Sequence, residues 1–146
     1  MKTTTILVAF LYALTSMVSF AQDANVNAKD SKIKWYGEKI GGSHEGYINL
    51  KSGNVEMKDG DIVAGNFMVD MSSITNTDLE NETYNQKLVG HLKSDDFFGV
   101  ANFPEAKLEI TKADVKNGKG TVTGDITIKG ITKEISFPVE KSGTDY

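Results

Sequence analysis

Apolar and polar residues alternate with a period of two over most of the chain, the signature of strands with one face on a core and one in water. Ile33, Trp35 and Gly37 oppose Lys32, Lys34 and Tyr36, and His44, Gly46, Ile48 and Leu50 oppose Glu45, Tyr47 and Asn49. Lys51-Ser52-Gly53 predicts a turn, followed by a short strand carrying Val55 and Met57. Asp59-Gly60 predicts a type I′ hairpin, whose two central residues both need positive φ. A fourth strand runs from Ile62 to Met71, with Val63, Gly65, Phe67, Val69 and Met71 on one face. Later, Ala106, Leu108 and Ile110 alternate with Lys107, Glu109 and Thr111, and Asn117-Gly118 turns the chain. Val122, Gly124, Ile126 and Ile128 form the next apolar face, and Lys129-Gly130 turns again. Ile131, Lys133, Ile135, Phe137 and Val139 share one side of the last strand, and Pro138 on the other side suits an edge position.

The alternation breaks between Ser72 and Gly99. Asn81-Glu82-Thr83 starts a helix on which Leu88, His91 and Leu92 recur at helical spacing. Ser94 reads as the N-cap of a second short turn through Asp95, Asp96, Phe97 and Phe98. A helical insertion around residues 81–98 therefore lies over one opening of an all-β, antiparallel sheet of about seven strands. So much one-sided apolar surface must close on itself as a barrel or pack on a second sheet, and periodicity does not choose between them.

The first 21 residues have a different character. Lys2 is a short basic region, Ile6 to Phe20 is apolar with mild interruptions, and Ser19-Phe20-Ala21 places small residues before Gln22. This is the pattern of a secretory signal peptide cleaved after Ala21. It is shorter than the ~20 apolar residues of a membrane span, and no basic stop-transfer cluster follows, so no stable span is expected after cleavage. The product is expected in a bacterial periplasm or secreted. Residues 22–30 read as a polar, flexible leader to one domain over 31–146.

Composition narrows the chemistry. An apolar fraction of 39% is too high for a disordered chain. All 16 basic residues are lysine and the net charge is −4. Without arginine, phosphate and nucleic-acid recognition lose their bidentate fork, so no nucleic-acid partner is expected. The absence of cysteine removes disulfides, Cys nucleophiles and thiolate metal sites. The two histidines, His44 and His91, have no third ligand at metal spacing, and no G-x-S-x-G elbow occurs. Asp95-Asp96 reads as a helix-start pair that complements the dipole. No metal, cofactor or catalytic residue is assigned, and the chain is expected not to be an enzyme. For a hydrolase, the two histidines would be the base candidates.

Several strings then resemble successive blocks of the YceI-like family. They are Trp35 with Gly37, His44-Glu45-Gly46, residues 65–74 (GNFMVDMSSI), residues 87–98 (KLVGHLKSDDFF), Asn102-Phe103-Pro104-Glu105-Ala106 and residues 124–133 (GDITIKGITK). The resemblance implies a lipocalin-like antiparallel barrel, exported to the periplasm, whose apolar lumen binds a polyisoprenoid, an isoprenoid quinone or a fatty-acid-like amphiphile. Lumen candidates are Trp35, Ile48, Phe67, Val69, Leu88, Leu92, Phe97, Phe98, Leu108, Ile126, Ile128, Ile135 and Phe137, with His44 and His91 as polar contacts at the mouth. Family members continue with barrel-closing strands beyond the position where this sequence ends. The barrel is therefore expected to be incomplete, through truncation or through pairing of its open edges with a second copy, as in a homodimer. The competing expectation is a non-catalytic periplasmic interaction module with a filled core.

Overall fold

The computed structural model describes residues 20–143; the signal peptide expected over residues 1–21 lies outside them except for Phe20 and Ala21. Seven strands form one antiparallel sheet: β1 (Gln22–Asn25), β2 (Ile33–Lys39), β3 (Gly42–Lys58), β4 (Asp61–Asp70), β5 (Glu105–Lys116), β6 (Lys119–Ile128) and β7 (Ile131–Glu140). A short 3-10 turn (Met71–Ser73) and one helix, α1 (Glu82–Lys93), separate β4 from β5. Strands β3 to β7 pair in sequence order. Both β1 and β2 pair with β3, β1 against Asn54–Met57 and β2 against Gly42–Ile48. Among the described residues the far edge of β7 pairs with no strand, and the sheet is not closed. The expected all-β, antiparallel architecture of seven strands with one helical excursion is found, as a sheet that is not closed.

The hairpins follow from local sequence. Three of the four place two consecutive residues at positive φ: Asp59 (54°) and Gly60 (84°), Asn117 (54°) and Gly118 (78°), Lys129 (51°) and Gly130 (73°), whereas the β2–β3 loop has only Gly41 (92°) there. The consecutive pair is the type I′ signature whose twist matches the strands it joins.

Several expectations need correction. Lys51-Ser52-Gly53 does not turn; β3 runs unbroken through it, and the register slips by one residue between Leu50 and Ser52. Gly53 is there for close approach, since a Cβ would stand 2.9 Å from the Phe67 ring and 3.0 Å from Val26. The expected leader begins with a strand, because Gln22–Asn25 pairs with β3. Val63 is exposed, displaced from the inner face by a second slip between Glu56 and Met57. Ser94 caps the C-terminus of α1, donating its N–H to the Gly90 and His91 carbonyls, and the next residues form turns.

Two apolar clusters sit on the inner face. One gathers Ile48, Met71, Ile74, Leu92, Val100 and Ala106 under α1. The other gathers Ile62, Ile110 and Val122 at the opposite end, and Val122 is wholly inaccessible to solvent.

Candidate functional site

Strand pairing carries single rows of side chains across the inner face. Gly53 pairs with Phe67, Phe67 with Leu108, Leu108 with Ile126, and Ile126 with Lys133. The next row runs Val55, Gly65, Ile110, Gly124, Ile135. Where these rows leave the two clusters, at Leu108, Ile126 and Ile135, the inner face forms a shallow apolar trough. Leu108, Ile126 and Ile135 belong to neither end cluster and stay half-buried, and Ile131 is 61% exposed.

Helix α1 covers one end of the trough. The Asn81 side chain caps its N-terminus by accepting from the Tyr84 N–H. Leu92 is buried in the first cluster, with Leu88, Val89 and Phe98 packed around it. The segment ahead of α1 is fastened to the outer rim of β3. The Thr75 N–H donates to the Tyr47 carbonyl at 2.9 Å, and the Thr77 N–H to the Glu45 carbonyl at 3.0 Å. Trp35 donates its indole N–H to the Thr75 carbonyl at 2.8 Å. Gly46 permits this docking, since a Cβ there would lie 1.8 Å from the Thr75 carbonyl oxygen.

A polar knot completes the fastening. Asp78 accepts from the Glu45 N–H at 2.9 Å and lies 2.8 Å from His44 Nδ1. Buried Asn76 donates to the Glu45 carbonyl, and Asn85 of α1 donates to the Asn76 and Leu79 carbonyls at 3.0 and 3.1 Å. The Glu45 amide, then His44 and Asn76, hold the Asp78 carboxyl down to about 2.

The fifteen expected ligand contacts therefore fall into different places. Trp35, Ile48, Val69, Leu88, Leu92, Phe98 and Ile128 belong to the cluster beneath α1, and Phe67 and Phe137 to the far cluster. Leu108, Ile126 and Ile135 line the trough between. His44 is occupied with Asp78. His91 and Phe97 are exposed, outside both clusters, stacked edge-on at 5.9 Å, with Phe97 in turn 4.6 Å from Phe98. Both histidines thus sit off the trough floor. Sequence reading passed over the Thr75–Asp78 fastening, because its partners are some thirty residues away in β3. It also left Lys133 out of the site, although the alternation already put that lysine on the apolar face.

Two other cavities, each of about 540 Å³, lie elsewhere. One is on the outer, polar face between Asn54, Asn66, Glu109 and Asp125. The other lies between α1 and the preceding segment, at Asn76, Asn85, Val89 and Lys93. Among the described residues no group of His, Cys, Asp and Glu is placed to hold a metal, and no helix is long and apolar enough to cross a membrane.

Comparison with known proteins adds the lineage. A UPF0312 protein of Vibrio campbellii is 30% identical over 148 residues, covering 91% of this chain and 74% of its own. A UPF0312 protein of Vibrio parahaemolyticus is 33% identical over 110 residues, and the match spans 54% of that relative's length. The solved Campylobacter jejuni YceI protein superposes with a TM-score of 0.48 at 19% identity, covering 98% of this chain and 70% of that one. The YceI-like domain model matches residues 20–145, and the chain belongs to the YceI-like family.

Proposed function

We propose that the protein binds a polyisoprenoid or similar single-chain amphiphilic lipid along the inner face of its sheet, outside the cytoplasm, as a carrier, store or scavenger. The observation that carries this reading is the half-open trough of Leu108, Ile126, Ile135 and Ile131 between two packed ends. Contiguous exposed apolar surface is a mark of ligand-binding grooves and interaction sites. Each methylene that leaves water for such a surface contributes about 0.8 kcal/mol. A prenyl or acyl tail therefore gains affinity from length alone, with no catalytic group required.

The test is native mass spectrometry of the protein purified from its own host, combined with titration of a prenyl quinone against Trp35 fluorescence. A stoichiometric lipid adduct and saturable quenching are expected. A lipid-free mass together with unchanged fluorescence would overturn the reading and favour the filled-core interaction module.

A further inference from the structure

The apolar face carries one charged residue on β4 to β7. Along β7 the inner positions read Ile131, Lys133, Ile135, Phe137 and Val139. Lys133 pairs with Ile126 and is flanked on its own strand and face by Ile131 and Ile135. Lys34 pairs with Glu45, Lys51 with Glu105, Lys119 with Glu140 and His44 with Asp78, whereas Lys133 forms no ion pair among the described residues. The acids of neighbouring strands, Glu109, Asp125 and Glu134, stand in register with one another on the opposite face. Among the described residues Lys133 thus has apolar neighbours for its stem, an exposed position, and no carboxylate paired with its ammonium.

We propose that Lys133 receives the anionic head of the bound amphiphile, so that the preferred ligand is a long single apolar chain ending in a carboxylate or phosphate. The proposal rests on the lipid-binding reading above and adds the chemistry of the head. The row from Lys133 through Ile126 and Leu108 to Phe67, whose ring closes off Gly53, crosses four strands, a span of about 14 Å at the usual strand spacing. That is a track for the tail, with the cation at one end. An ammonium donating to an ionised oxygen forms a charge-assisted hydrogen bond, stronger where apolar walls limit water. A lysine that only lays its stem over apolar surface and keeps its head in water would show no preference between heads.

The experiment is displacement of the neutral dye Nile red, near neutral pH and below lipid aggregation, by matched pairs: oleate against oleyl alcohol, and farnesyl phosphate against farnesol. The expected result is tighter binding of the charged member, by about tenfold, or about 1.4 kcal/mol, in at least one pair. The pair that shows it identifies carboxylate or phosphate as the head. Lys133→Met should abolish the preference while retaining the alcohols, which also proves that the variant folds. Lys133→Arg should restore it. Lys107→Met, on the outer face opposite Thr127, should leave it unchanged. Equal affinities in the wild type, or a preference that survives Lys133→Met, would overturn the assignment of Lys133 and leave lipid binding standing. Failure of all four ligands to displace the dye would overturn both.

Discussion

Replacing Gly46 by alanine tests how the trough is capped. The added methyl would lie 1.8 Å from the Thr75 carbonyl oxygen, 2.7 Å from its carbon and 2.8 Å from the Trp35 indole nitrogen. None of these is the free end of a flexible chain, so the Thr75 segment must lift off β3. Two hydrogen bonds go with it, Trp35 to the Thr75 carbonyl and the Thr75 N–H to Tyr47. At about 1 kcal/mol each, plus about 1–2 kcal/mol for the forced shift of a packed segment, the loss comes to about 3–4 kcal/mol. For a domain of this size each kcal/mol moves Tm by roughly 4 °C, so Gly46→Ala should melt about 12–16 °C below wild type by circular dichroism. The indole, deprived of its acceptor, should also shift its emission to the red. Gly42→Ala is the internal control: it lies on the same strand, with nothing within 4 Å of its added Cβ, and should change stability by less than about 0.5 kcal/mol. Equal melting of the two variants would refute the idea that the Thr75 segment is pinned through Gly46.

Two further outcomes follow from the same geometry. The Asp78 carboxyl is held at about 2, against an ordinary value of 3.8, first by the Glu45 amide and then by His44. A group depressed in the folded state stabilises fully above its unfolded value and loses that contribution as pH falls toward the folded one. Stability should therefore decline between about pH 4 and pH 2, and Asp78→Asn should flatten that part of the profile in acid-dependent urea titrations; an unchanged slope would contradict the role given to Asp78. Val122→Ala removes buried methyl groups at a side chain that is wholly inaccessible to solvent among the described residues. It should cost about 2 kcal/mol, read as a lower urea midpoint at constant m-value, and a loss under about 0.5 kcal/mol would show that the far cluster collapses around the gap.

Much of the site was readable from local sequence, with consistent exceptions. Three of the four two-residue hairpins were legible because a type I′ turn writes itself in two adjacent residues. The inner positions of β5, β6 and β7 were legible because alternation survives one-dimensional inspection. The turn expected at Lys51–Gly53 failed because a glycine inside a strand looks the same as a glycine in a turn; only Phe67 and Val26 closing over Gly53 separate the two. Val63 was misplaced for a related reason, since a bulge shifts the phase of every residue beyond it. His44 looked available because its partner Asp78 is 34 positions away, a distance that no spacing rule spans.

The sequence by itself determined the strand alternation, the hairpins, the helical interruption and the family, because each is written in neighbouring residues or contiguous blocks. Only the tertiary structure decided which apolar residues fill the two packed ends and which are left along the trough. It also decided that His44 is tied to the rim and that Lys133 ends a row begun at Gly53. Those outcomes depend on register between strands distant in the chain, and register follows from cross-strand packing and hydrogen bonding that no single segment contains.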